Sequence, residues 1–103
     1  MNLEGQNITV VGLARAGLAA ARFVAEKGAH LTVTDVKPEE KLPGVREKLS
    51  GFQVRYFLGT HPPEAFKDAK AVIVSPGVPL STPPLPELAA KGVRVVGDVE
   101  FAA

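Results

Sequence analysis

Residues 7–17 read NITVVGLARAG. The run Asn7–Val11 is short and rich in β-branched side chains, and it stops at Gly12; from there the residues become small and helix-favouring. A strand that ends on glycine and leads straight into a helix makes a tight βα turn. Gly12 stands at the bend, and Gly17 falls in the first helical turn, where the lack of a side chain permits close helix–strand contact. The first N–H groups of such a helix, those of Arg15, Ala16 and Gly17, have no partner within it. They attract anions through hydrogen bonds and through the helix dipole. Where a dinucleotide fingerprint carries its second glycine, this turn has Ala14, whose Cβ stands where a pyrophosphate usually meets bare backbone. The stretch therefore reads as a phosphate-holding turn of another kind, or as a tight βα turn and nothing more.

The rest of the chain repeats the alternation. Leu31–Thr34 is a second β-branched run closed by Asp35. Gln53–Phe57 alternates as a strand nearer an edge does, Ala71–Val74 is continuously apolar, and Val93–Val96 is a fifth run. Helical stretches lie between them. The first places Ala16, Ala20, Phe23 and Val24 on one face and closes at Lys27-Gly28. Glu39–Ser50 is helical with an interruption at Pro43-Gly44. A short helix starts at Pro62-Pro63-Glu64, and Ser81 or Thr82 caps a helix over Leu85–Lys91. Continuous Val/Ile runs require a sheet covered on both faces. The order β-α-β-α-β-α-β-α-β predicts an α/β fold: a single-domain, Rossmann-like, doubly wound five-stranded parallel sheet with strand order 3-2-1-4-5. Asp98–Ala103 reads as the opening of another element.

Composition narrows the function. The 103 residues are 46% hydrophobic and 22% charged, with a net charge of +1 and scattered Lys and Arg, which gives no reason to expect a nucleic-acid or membrane surface. No cysteine is present, so disulfides, thiolate zinc sites and a cysteine nucleophile are excluded. The start, MNLEGQ, lacks the basic and apolar regions of a signal peptide, and a cytoplasmic protein is expected. His30 and His61 have no neighbours at metal-ligand spacing. No serine sits in a nucleophile elbow, and the GxxxxGKS/T loop for ATP phosphates does not occur. A phosphorylated receiver would need an aspartate at the end of strand three, where Tyr56-Phe57-Leu58 stand. No catalytic residue and no metal site are assigned.

In a doubly wound sheet the ligand crevice lies past the carboxyl ends of the strands where strand order reverses, here between strands one and four. Three distinctive stretches meet there. The glycine turn offers Ala14, Arg15, Ala16 and Gly17, and Arg15 either adds a guanidinium to a phosphate or stays in solvent. Asp35-Val36-Lys37 ends strand two, and the Asp35 carboxylate accepts from a ribose hydroxyl, from a base N–H, or within its own turn. Ser75-Pro76-Gly77 follows strand four; Pro76 holds Ser75 extended, and Gly77 allows a sharp bend or a close approach.

GLARAG after the first strand, Asp35 ending the second, VSPGVP after the fourth and GDVE after the fifth together resemble the N-terminal domain of the Mur ligase family, on the branch that adds D-glutamate to the peptidoglycan stem peptide. The resemblance covers essentially the whole chain. It implies a substrate domain that binds the UDP part of UDP-N-acetylmuramoyl-L-alanine, with the remaining domains of the same chain as partners. In that family ATP phosphorylates the substrate's terminal carboxylate, and the D-glutamate amine attacks the acyl phosphate and expels phosphate. The resemblance puts ATP and Mg in the other domains and implies no cofactor bound by this one. It gives Ala14, Arg15 and Ala16 to the diphosphate, Asp35, Val36 and Lys37 to the uracil, and Ser75, Pro76 and Gly77 to the flank of the nucleotide sugar. Glycine at the position of Ala14 and threonine at that of Ala16 are common in the family, so a hydroxyl contact is absent here. The rival readings are an independent NAD-binding Rossmann module, favoured by Asp35, and an interaction domain that has lost its ligand.

Overall fold

Burial decides which runs become central strands. In the computed structural model, which describes residues 3–97, β1 (Asn7–Val11), β2 (His30–Asp35) and β4 (Ala71–Val74) are the most completely buried, while β3 (Val54–Leu58) and β5 (Arg94–Gly97) form the edges. All pairings between strands are parallel, and the order is β3-β2-β1-β4-β5. The predicted fold class and strand order are those observed. Strand limits shift by one residue at both edges, to Val54 and to Arg94. Edge strands have partners on one side only, so their ends are set by the neighbour's register rather than by their own composition.

Val10 sits between Val33 of β2 and Ile73 of β4, all three free of solvent contact. Ile8 and Val10 face α1 (Arg15–Glu26) across a cluster that includes Leu18, Ala21 and Val24. On the other side, Val11, Val72 and Val74 pack with Ala65, Phe66 and Leu85, from a 3-10 turn over Pro63–Phe66 and from α3 (Leu85–Ala90). Each aliphatic side chain so buried contributes roughly 1.5–3 kcal/mol. The connection from β2 to β3 is a 3-10 turn over Glu39–Lys41 and then α2 (Val45–Lys48), broken between them where Pro43-Gly44 was expected to interrupt. Arg46 ties this connection to the β3 edge: it grips Glu39 with two hydrogen bonds, of 2.6 and 3.1 Å, and lies 4.2 Å from the centre of the Tyr56 ring.

Two helix expectations need correction. The buried stripe of α1 is Gly17, Leu18, Ala21, Val24 and Ala25; of the expected Ala16, Ala20, Phe23 and Val24, only Val24 lies fully within it, with Ala20 half-buried against the same cluster. Phe23 is 48% exposed, with the Lys27 ammonium over its ring. The contact made by Gly17 sets this phase: a Cβ there would be driven into the Gly12 carbonyl oxygen and the Ser75 hydroxyl. With Gly17 turned inward, the residues four, seven and eight positions on are Ala21, Val24 and Ala25, while Ala20, three positions on, lies half-buried at the flank of the stripe. The second correction concerns α3, which has no side-chain cap from Ser81 or Thr82. Its N-cap residue is Pro84, and Thr82 contributes its carbonyl, which accepts the Leu85 N–H at 2.9 Å. Pro83 and Pro84 separate the two hydroxyl residues from the first turn. The expected element at Asp98–Ala103, and with it the Asp98-Val99-Glu100 part of GDVE, lies outside the described residues.

Gly17→Ala should lower stability by about 1–3 kcal/mol through overpacking, read as a shift of the urea midpoint. Gly77→Ala is the control, since a Cβ there meets nothing within 4 Å, and its midpoint should stay unchanged.

Candidate functional site

The three stretches predicted to converge do so, and they are joined by hydrogen bonds rather than merely adjacent. Gly12 turns the chain with φ +90 and donates its N–H to the Thr34 carbonyl at 2.8 Å. A side chain at Gly12 would meet Val78 at 2.8 Å as well as Ser75. From β4, the Ser75 hydroxyl donates to the Gly12 carbonyl at 2.6 Å, and the Ser75 N–H donates to the Val11 carbonyl. From β2, the buried Asp35 carboxylate accepts the Leu13 N–H at 2.7 Å on one oxygen and the Lys37 N–H at 2.8 Å on the other. The glycine turn is thus braced on both sides, by a hydroxyl on its carbonyl and a carboxylate on its next N–H.

What the braced turn presents outward is the start of α1. The first N–H bonded within the helix is that of Leu18, to the Ala14 carbonyl at 2.9 Å. Ala14 is the N-cap and supplies no side-chain acceptor, and the first turn holds no acidic residue. The N–H groups of Arg15, Ala16 and Gly17 are therefore uncapped by side chains, and the positive end of a 12-residue helix opens on the crevice. The Arg15 side chain is exposed beside it. Lys37 is also exposed, at the end of the segment that Asp35 holds. Val36, between them, is 60% exposed, unusual for an aliphatic side chain. Gly77 is exposed, does not have positive φ, and faces open space. The expected sharp bend or close approach at Gly77 is thus not a demand of the protein's own packing.

The sequence reading missed a strap across the end of β2. The Gly59 N–H donates to the carbonyls of both Asp35 and Lys37, at 2.9 and 3.0 Å. The fully buried Thr34 hydroxyl donates to the Thr60 carbonyl at 2.9 Å. His61 Nδ1 lies 2.8 Å from the same hydroxyl oxygen. Because the single hydroxyl proton goes to Thr60, the network assigns the ring proton to Nδ1, which donates to Thr34. Burial pushes the His61 imidazole below its ordinary value, and the charge of Asp35 opposes that shift. No spacing rule announces this contact, because it depends on how the β3 loop returns over β2.

Hollows of about 490 and 500 Å³ lie elsewhere, at the amino ends of the strands, and include Asn7, His30 and Gln53 in one and Leu3, Lys70 and Arg94 in the other. Neither contains a residue of the braced turn. The braced turn lies at the opposite end of the strands, where a doubly wound sheet reverses its strand order. Among the described residues no group of three His, Cys, Asp or Glu side chains could hold a metal ion, and no helix is long and apolar enough to cross a membrane.

Comparison with known proteins adds to this geometry. The family described as Mur ligase MurD-like, N-terminal domain, matches residues 6–97. UDP-N-acetylmuramoylalanine–D-glutamate ligase of Geobacter metallireducens is 46% identical over 103 residues, covering all of this chain and 23% of the relative. The protein of the same name from Anaeromyxobacter dehalogenans is 46% identical over 101 residues, with 98% and 22% covered. The chain thus spans about a quarter of the length of these relatives. Among solved structures, shikimate dehydrogenase from Aquifex aeolicus superposes with a TM-score of 0.66 at 16% identity, over 98% of this chain and 45% of that one. D-lactate dehydrogenase from Escherichia coli gives 0.62 at 22%, over 94% and 29%. These likenesses carry the fold alone.

Two outcomes follow from the geometry. Asp35→Ala should cost about 1.5–3 kcal/mol of stability by leaving the Leu13 and Lys37 N–H groups without their carboxylate, measured by urea unfolding at neutral pH. For His61, the unfolded chain binds the proton more readily than the folded one. Its contribution is therefore complete above the ordinary value of 6.5 and is lost as pH falls below it toward the lowered folded value. Stability measured from pH 7.5 down to 5 should fall more steeply in the parent than in His61→Gln; parallel curves would show that the imidazole is not held neutral.

Proposed function

The chain belongs to the MurD-like N-terminal domain family of the Mur ligases, and from that premise we propose that it binds the UDP part of UDP-N-acetylmuramoyl-L-alanine within an ATP-dependent, D-glutamate-adding ligase of peptidoglycan synthesis, a cytoplasmic enzyme. The observation that carries this reading is the uncapped start of α1, opening on the crevice while Asp35 and Ser75 brace the turn behind it. A diphosphate laid on that helix end accepts from the N–H groups of Arg15, Ala16 and Gly17, on the exposed edge of Ala14. Electrostatic attraction to such an end adds about 0.3–1 kcal/mol for an exposed charge. The Arg15 guanidinium supplies the contact that a hydroxyl at Ala16 would otherwise make.

The uracil lies against Asp35, Val36 and Lys37. An exposed valine offers an apolar face for a base, and the carboxylate of Asp35 retains lone pairs for a base N–H while holding its two backbone donors. Ser75, Pro76 and Gly77 flank the nucleotide sugar, where Gly77 leaves room that the protein itself does not use. An independent NAD module is less well supported. Ala14 adds a side chain at the pyrophosphate position of a dinucleotide fingerprint, and the family matched over residues 6–97 is that of the Mur ligases. The phosphate-loop signature for ATP does not occur in this sequence, and the resemblance gives ATP and Mg to other domains. We assign both, with the amide-forming chemistry, to the other domains of the parent enzyme.

An amide chemical-shift titration with UDP-N-acetylmuramoyl-L-alanine, run beside NAD, tests the reading. Saturable shifts at residues 13–17, 35–37 and 75–77 with the UDP-sugar alone are expected, and Arg15→Ala should weaken that binding about tenfold, from loss of roughly 1.5 kcal/mol. Saturation by NAD alone would overturn the assignment.

A further inference from the structure

Ser75 to Pro86 reads SPGVPLSTPPLP, twelve residues without a charge in a chain that is 22% charged. Five of the nine prolines fall in it. Most of the segment is on the surface: Pro76, Gly77, Pro79, Leu80, Ser81 and Pro83 are all exposed. Leu80 is 60% exposed, one of three large hydrophobic side chains so placed among the described residues. The other two are accounted for: Phe23 carries the Lys27 ammonium over its ring, and Val36 lies in the nucleotide site proposed above. Leu80 has neither role. The segment is also held in shape by its own backbone, with the Val78 N–H on the Ser75 carbonyl, the Thr82 N–H on the Pro79 carbonyl and the Leu85 N–H on the Thr82 carbonyl, at 2.9–3.0 Å. An uncharged, proline-stiffened ridge that bears an aliphatic side chain loses little conformational freedom and little hydration on being covered, which suits a fixed partner surface.

The topology indicates which surface arrives there. β5 pairs parallel to β4 with Gly97 beside Val74, so the polypeptide leaves the sheet at the carboxyl edge from which this ridge also rises. This chain covers 22–23% of the length of its relatives, and the family it matches is described as an N-terminal domain. We propose that the Pro76–Pro84 ridge, with Leu80 at its centre, is the docking surface on which the following domain of the full-length ligase seats. The proposal rests on the reading above only in requiring that the chain be part of such an enzyme. Because β1 and β4 border the crevice, a domain seated on the ridge also roofs the nucleotide site from the β4 side.

The absence of cysteine from the chain makes the test direct. Leu80→Cys is introduced into the 103-residue chain, whose described residues bury two apolar clusters, and into the full-length ligase with any other cysteines replaced by serine. Alkylation by iodoacetamide is timed in both, without ligand and with saturating UDP-N-acetylmuramoyl-L-alanine. Ala19→Cys, on the exposed side of α1, serves as the reference for equal access. At position 80 the full-length enzyme should react at least tenfold more slowly than the short chain, while position 19 reacts alike in both. Rates at position 80 within twofold of each other overturn the proposal, even where the UDP-sugar binds normally. Protection of position 80 in the short chain by the UDP-sugar also overturns it, because the ligand would then be what covers Leu80.

Discussion

One close approach governs this domain: the first turn of α1 lies against the end of β1 with no side chain between them. Gly17 meets the Gly12 carbonyl, and the Ser75 hydroxyl donates into that same carbonyl. Because the gap has no room for a methyl group, the helix cannot rotate about its axis, and its phase fixes which residues reach the sheet. Leu18, Ala21 and Val24 follow from that phase, as does the outward position of Phe23. The carbonyl that Gly17 approaches is also satisfied by Ser75, so the crowded spot holds a paired polar group rather than a buried orphan, which would cost stability.

The same contact explains why residues expected to touch a ligand are first used inside the protein. Asp35 and Ser75 come from strands on opposite sides of β1, and each reaches the turn with a polar atom. The carboxylate orients the Leu13 N–H; the hydroxyl fixes the carbonyl just before it. Between them they leave the following N–H groups, at the start of α1, with a fixed direction and no side-chain cap. A site that offers backbone donors needs such support, since its strength lies in donors that do not have to reorganise when an anion arrives. Removing either brace would therefore act on the shape of the turn as well as on any contact the residue itself makes.

The sheet was legible because its signal is local: continuous Val/Ile runs at β1 and β4, separated by segments long enough for parallel crossovers. The convergence of residues 12–17, 35–37 and 75–77 was legible too, since strand order alone brings those three ends together. The phase of α1 was not. Ala16, Ala20 and Phe23 form as good a small-and-apolar stripe as Gly17, Leu18 and Ala21, and only the packing of Gly17 chooses between them. The braces were equally hidden, joining residues 22 and 63 positions apart. Thr34, Thr60 and His61 escaped for the same reason. A histidine after a strand looks like a turn residue until the loop that carries it is seen to fold back on its neighbour.

The division between what is braced and what is left open has a functional logic. Everything behind the turn is closed: the Thr34, Asp35 and Ser75 side chains are buried and hydrogen-bonded. In front of it, among the described residues, lie the uncapped helix start and the exposed side chains of Val36 and Leu80. The His61 imidazole, held by the buried Thr34 hydroxyl, works in the strap. Such an edge suits the anionic, partly apolar ligand of the proposed function. Under the proposed function this domain holds the nucleotide end of the substrate while another brings the chemistry to its far end, so that binding energy gathered at the first end positions the reacting carboxylate without taking part in its bonds.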